Sequence, residues 1–223
     1  MTKKLFFQAM GKFFAGLVLL MLLLFVPAGT LRYWNGWLLI GLLFVPMFAV
    51  GIVMMVRAPA LLAKRLDAKE EERDQKVVIA LSGAMFLAAF VLAGLSFRFG
   101  WLLLPRPAVY AAAAVFLAAY ALYGEVLREN AYLSRTIKVQ AEQKVVNTGL
   151  YGIVRHPMYA ATLLLFLSMG LVLGSVLAFI VLLAYIPIIA KRIRNEEAVL
   201  TEGLAGYAAY KEKVKYRLIP FIW

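Results

Sequence analysis

Apolar residues along this chain come in long blocks, and the charged residues fall almost wholly between them. The first block, residues 13–26, is closed by Pro27 and can be extended back through Phe6 and Phe7. At about 14 residues it is short of the ~20 a membrane-spanning helix needs, so Lys12 is expected to reach along the helix to the interface. Residues 37–56 form a second block without a charge, and Pro46 within it predicts a kink. Residues 77–97 form a third. The fourth, residues 108–123, is rich in alanine, which suits close packing against neighbouring helices better than exposure to lipid. Residues 158–190 then run for ~33 positions without a charge, about 50 Å of helix against a ~30 Å hydrocarbon core. One helix cannot fit that depth. Gly174-Ser175, near the middle, predicts a tight helical hairpin whose return leg carries Pro187. The pattern therefore predicts an all-α, polytopic membrane protein of about six membrane segments. It reads as one domain, with N-terminal membrane helices over residues 1–123 and, over 124–223, a region holding the hairpin and a tail.

Composition agrees with this class, because 64% of the 223 residues are hydrophobic and a soluble domain could not hide that much apolar surface. The formal charge of +12 could suggest a nucleic-acid partner, but its distribution points elsewhere. Of the 24 Lys and Arg residues, 21 lie in the N-terminus, the 57–76 loop, the 124–156 connection and the tail after Ala190. The alternate loops hold three, Arg32, Arg98 and Arg106. By the positive-inside rule both termini and both long loops face the cytoplasm, and all 12 acidic residues lie on that same side. Polar chemistry is expected there. The N-terminal Lys3 and Lys4 followed by apolar residues could open a signal peptide, but Val26-Pro27-Ala28-Gly29 is a poor cleavage site, so this segment is read as a retained first span. The absence of cysteine excludes disulfides, iron–sulfur clusters and thiolate zinc sites, and with a single histidine no metal site is expected.

That one histidine stands in Thr148–Tyr159, the most informative stretch of the chain, with Gly149, Tyr151, Arg155, His156, Pro157 and Tyr159 as its letters. The residue before a proline is disfavoured in the helical region, so His156 is extended or in a turn. Pro157 suits the first position of a helix, where its missing N–H costs nothing. A cation, an imidazole and two tyrosines thus cluster where a membrane helix leaves the aqueous face, at the end whose free N–H groups attract anions. An interfacial histidine and belt tyrosines would explain the same letters without chemistry.

The return leg of the hairpin ends in Lys191-Arg192-Ile193-Arg194-Asn195-Glu196-Glu197. Arg192 and Glu196, four apart, share a helix face and could be a surface ion pair. The hairpin, however, brings them back to the level of His156, and convergent polar groups beside apolar walls make a small-molecule site. Tyr207 and Tyr210 are expected to pack on an amphipathic tail helix, and residues 67–76, dense in both charges, to form a solvated helix.

Taken in order, Gly149-Leu150-Tyr151, Arg155-His156-Pro157-Met158-Tyr159, Arg192 with Glu196-Glu197 and Leu200, then Tyr207, Tyr210 and Pro220-Phe221 resemble the isoprenylcysteine carboxyl methyltransferase family, which is related to membrane phospholipid methyltransferases. The resemblance covers residues 125–223. It implies an S-adenosyl-L-methionine-dependent membrane methyltransferase with a cofactor pocket near the cytoplasmic face. By position it carries cofactor contacts over to Gln143, Lys144, Val145, Val146, Tyr151, His156, Pro157, Met158, Tyr159 and Glu196, and acceptor binding to Arg192, with Arg192 and Glu196 as the reaction's residues. Gly203-Leu204 departs from the family's frequent Phe-Gly.

The acceptor implied is lipidic, a carboxylate on an isoprenylcysteine-like or other isoprenoid chain entering from the bilayer, with phospholipid N-methylation as the alternative. A sterol-type NADPH-dependent membrane reductase is a second alternative. A small transporter or scaffold is a third, and against transport no ionisable residue interrupts the middle of a span. The chain has no Gly-x-Gly-x-x-Gly fingerprint and no βαβ pattern, which excludes a soluble Rossmann-type methyltransferase.

Overall fold

A computed structural model describes residues 3–66, 73–130, 132–133, 139 and 142–223. Among the described residues the protein is an assembly of α-helices. Four are long and apolar enough to cross a bilayer: α1 (Lys3–Ala28), α2 (Trp34–Arg57), α4 (Arg73–Phe99) and α5 (Arg106–Glu129). A short α3 (Pro59–Leu66) sits between α2 and α4. α1 starts well ahead of its apolar block, as the backward extension through Phe6 and Phe7 allows, and Lys12 donates from it to the Leu66 carbonyl at the C-terminus of α3, 2.5 Å away. The charged stretch expected as a solvated helix falls outside the described residues over 67–72, and its last four residues open α4.

The hairpin is present, with α6 (Pro157–Val172) going out, a turn at residues 173–175, and a return leg made of α7 (Val176–Leu182) and α8 (Tyr185–Gly203). α6 has 16 residues, about 24 Å of rise, and is shorter than the hydrocarbon core. Together α7 and α8 have the length and hydropathy of one span, so the count of about six segments stands. The return leg is interrupted at Leu183–Ala184. Pro187 has no N–H to offer the Leu183 carbonyl, which takes the Ile186 N–H at 3.0 Å instead, a tighter turn from which the helix restarts. The polypeptide closes with a seven-residue helix, α9 (Tyr207–Lys213), and a strap to Trp223.

Packing fixes the hairpin from two sides. α5 lies along α6, and its buried Val109, Ala112, Phe116 and Ala119 recur every three or four residues down one face. α4 carries Gly94 against α1, and a Cβ there would stand 2.5 Å from the Leu24 carbonyl oxygen, so the two backbones touch.

At the far end the turn is held by polar bonds. Tyr33 donates to the Leu173 carbonyl at 2.7 Å, Asn35 Nδ2 to that of Val172 at 3.0 Å, and Ser175 Oγ to Ser96 Oγ at 2.9 Å. Gly174 takes φ +70° in that turn, with Asn35 Nδ2 2.9 Å from where a Cβ would be. Leu24, Tyr33, Leu39, Phe116, Val172 and Leu182 are fully buried members of the core, and the polar cluster described next lies at the end of the hairpin opposite this turn.

Candidate active site

Pro157 dictates the geometry of the site from below. It occupies the first turn of α6, and His156 before it adopts φ −127°, ψ 60°, outside the helical region. The Arg155 and His156 N–H groups are therefore not used by a helix. They donate instead to the carbonyls of Tyr216 and Arg217, each at 2.9 Å, and Arg155 Nη1 donates to those of Val214 and Lys215 at 2.7 and 2.8 Å. The terminal strap is thereby laid beside the entry to α6.

Along α8 the buried positions are Tyr185, Ile189, Ile193 and Glu197, a stripe with a period of four whose last member is an acid. Glu197 is 3% exposed. One of its oxygens accepts from Arg155 Nε at 2.7 Å and lies 3.3 Å from His156 Nε2, and the other accepts from Arg217 Nε at 2.9 Å. Arg155 and His156 are themselves 7% and 5% exposed, so this carboxylate joins α6, α8 and the strap out of reach of water. In such surroundings the charges stabilise one another only because each is paired and hydrogen-bonded.

Glu196 points elsewhere. Its Oε2 accepts from the Tyr159 hydroxyl at 2.5 Å, and the same hydroxyl accepts from Arg192 Nε at 2.9 Å. Arg192 also lies over the Tyr159 ring, 5.9 Å from its centre, and the His156 ring stacks on Tyr159 at 5.7 Å and 25°. One tyrosine on α6 thus collects an acid and a guanidinium from α8.

A cleft with an empty volume of about 800 Å³ opens beside this cluster. Its lining includes Gln143, Lys144, Val145, Val146, Tyr151, His156, Met158, Tyr159 and Glu196, the residues singled out in the sequence. Pro157 and Arg192 are outside that lining. The sequence did not mark Asn130, Tyr132 and Leu133, which line it too, and Leu200 and Leu204, named there only for the resemblance, join them, while Tyr207 and Tyr210 pack as expected and also form part of its wall.

The Tyr151 side is built on a 3₁₀ turn, Gly149–Gly152. Glu129 accepts from the Leu150 N–H there, and a Cβ on Gly149, at φ +53°, would collide with the Glu129 carboxylate. Asn130 Nδ2 donates to the Tyr151 hydroxyl at 3.0 Å and the Tyr210 hydroxyl to the Tyr151 carbonyl at 2.7 Å. Burial pushes the Tyr210 phenol up to about 12, so it is a donor across the physiological range.

A second cavity, mostly apolar and with about 1470 Å³ of empty space, lies between α1, α2, α3, α5 and α6. Phe13, Met47, Met54, Phe166 and Met169 represent its walls, with Lys12, Arg65, Tyr123 and Thr162 as polar members. It approaches the cleft closely. Arg65, which bonds the Tyr123 hydroxyl, stands 3.8 Å from the sulfur of Met158 on the cleft wall, and Thr162 Oγ1 donates to the Tyr159 carbonyl at 3.1 Å. A polar cleft and an apolar chamber therefore share the first turns of α6.

Residues 110–202 match the model of the "Isoprenylcysteine carboxyl methyltransferase (ICMT) family". No curated protein matches the chain. The matched segment begins within α5 and ends within α8, so it contains the connection, the hairpin and Arg192, Glu196 and Glu197, whereas α1 to α4, Tyr207, Tyr210 and the strap lie outside it. Over residues 110–202 this polytopic membrane protein is therefore similar to the isoprenylcysteine carboxyl methyltransferase family, whose members are S-adenosylmethionine-dependent methyltransferases.

Proposed function

We propose that this methyltransferase esterifies a carboxylate carried by an isoprenoid or other lipid chain, using S-adenosyl-L-methionine bound in the cleft at the cytoplasmic face. The observation that carries the reading is the Tyr159 hydroxyl, where Glu196 and Arg192 meet on the wall of the cleft, while Thr162 of the apolar chamber bonds the carbonyl of the same tyrosine.

The residues present fit the cofactor. Glu196 offers a carboxylate to its ammonium or sulfonium, the N-terminal turn of α6 with His156 offers donors to its carboxylate, and Val145, Leu200 and Leu204 offer a flat apolar wall to its base. When bound, the cofactor supplies an electrophilic methyl group on a sulfonium. A lipid carboxylate is already ionised at pH 7, so its oxygen can attack in line without a general base. What the protein then contributes is alignment at ~3–3.5 Å and exclusion of water. The planar fork of Arg192 is suited to orient a carboxylate bidentately, and the apolar chamber to take the chain that carries it.

The test is transfer of labelled methyl from S-adenosylmethionine to farnesylated cysteine derivatives and free isoprenoid acids by the purified protein, followed by mild base. Carboxyl methylation predicts that base releases the label as methanol. Label that survives base on an amine overturns the carboxylate reading.

A further inference from the structure

The hydroxyl of Tyr207 is an exception in an otherwise well-bonded region. Tyr207 is 4% exposed, and among the described residues its oxygen has neither a hydrogen-bond partner nor contact with solvent. Buried hydroxyls almost always find a partner, and one that does not carries a penalty throughout the life of the free protein. Tyr210, three residues on and 5.7 Å away ring to ring, shows the usual outcome, since its hydroxyl is satisfied by the Tyr151 carbonyl. Tyr207 differs in what surrounds it. It forms part of the cleft wall together with Leu200, Leu204 and Val145, an apolar cluster in which no acceptor among the described residues reaches the hydroxyl.

We infer that Tyr207 is a ligand-contacting residue whose hydroxyl donates a hydrogen bond to a ring nitrogen of the adenine of the bound cofactor. The inference rests on the cofactor assignment proposed above. Three features select this partner. Burial, and after it the carboxylates of Glu197 and Glu196, hold the phenol well above its ordinary range, so it stays protonated and keeps an O–H to donate. Among the described residues no cationic side chain is bonded to the hydroxyl to hold an anionic partner beside it, which favours a neutral acceptor over the carboxylate of the cofactor. The apolar wall at this end suits a flat base, whose ring nitrogens are neutral acceptors. Tyr207 also lies beyond the 110–202 segment, so it is contributed by the chain's own tail.

The experiment measures S-adenosylhomocysteine affinity and the melting temperature of the ligand-free form, on the full chain in one detergent, for wild type, Tyr207→Phe and Tyr210→Phe. Losing one neutral hydrogen bond predicts about fivefold to tenfold weaker binding for Tyr207→Phe. Because the deleted hydroxyl has no partner, its ligand-free melting temperature should equal or exceed that of wild type, while Tyr210→Phe, which loses a made bond, should melt lower. A second arm works on the wild-type protein, comparing S-adenosylhomocysteine with its 1-, 3- and 7-deaza analogues. One of the three should bind about fivefold to tenfold more weakly, and that difference should vanish in Tyr207→Phe. Unchanged affinity in Tyr207→Phe overturns the inference, as do three deaza analogues that all bind like the parent. A wild-type protein that does not bind S-adenosylhomocysteine overturns the cofactor assignment itself, and the Tyr207 contact with it.

Discussion

Adjacent residues on one helix can hold unrelated positions, and Glu196 and Glu197 do. A residue step of about 100° turns Glu197 into the buried stripe below Ile193 and leaves Glu196 beside Arg192 on the face that meets Tyr159. Two α8 side chains on a single hydroxyl would be equivalent members of a surface pair, each costing at most ~1 kcal/mol to remove, if pairing were their only role. The proposed chemistry separates them. Glu196→Gln is expected to raise the apparent constant for S-adenosylmethionine about tenfold, because a charge-assisted contact with a cation is lost. Arg192→Lys is expected to leave that constant alone and to lower turnover or acceptor affinity about tenfold, since lysine keeps the charge without the planar fork. Paired titrations of cofactor and lipid acceptor decide it, and two folded variants with wild-type kinetics would remove both assignments. The sequence made His156, Tyr159, Arg192 and Glu196 legible because proline fixes a helix start and spacing of four fixes a face. Glu197 was written there as well, as the next step of the Tyr185, Ile189, Ile193 stripe, but an acid at the end of an apolar stripe reads as solvated until its partners are known. Those partners, Arg155 and Arg217, lie 42 and 20 residues away in sequence.

Elements rather than residues decide whether the cleft exists. α6 contributes His156 and Tyr159, α8 contributes Glu196, and the two are joined at this end by the Glu197 carboxylate, which also takes the strap through Arg217. Removing that carboxylate leaves a guanidinium, Arg155, buried against carbonyls alone. Glu197→Ala should therefore destabilise the protein by about 3–5 kcal/mol, the cost of breaking one partner out of a buried ionic cluster. Glu196→Ala, on a half-buried side chain, should cost clearly less. Thermal melts of the two ligand-free variants check this, and equal melting temperatures would show that Glu197 is not the clamp. The hairpin itself was legible, because ~33 uncharged residues exceed the bilayer and Gly174 marks the turn. The break at Leu183–Ala184 was legible only as a proline four residues later, and the sequence does not say on which side of Pro187 a helix yields.

For the molecule as a whole, polar chemistry and topology have to agree. The turns at 173–175 and 29–33 are bonded to each other through Tyr33 and Leu173, and Leu104 N–H joins the same end by donating to the Gly174 carbonyl. That end carries the three basic residues of the alternate loops, and the cleft lies at the other, among the remaining 21. If the charge bias is obeyed, the cleft opens to the cytoplasm, the compartment that holds S-adenosylmethionine, and the acceptor's chain approaches through the leaflet on that side. The chain has no cysteine, so single-cysteine variants report one position each. Leu31 and Phe221 are suitable because they are 64% and 87% exposed and lie at opposite ends of the helices. Leu31→Cys should react with a membrane-impermeant maleimide in intact cells, and Phe221→Cys should react only after the membrane is permeabilised. The outcome has a direct mechanistic meaning, because an inverted pattern would put Glu196, His156 and the whole cleft on the side without the cofactor. Labelling of Phe221→Cys from outside, with Leu31→Cys silent, would thus overturn both the orientation and the methyl-transfer chemistry proposed for the cleft.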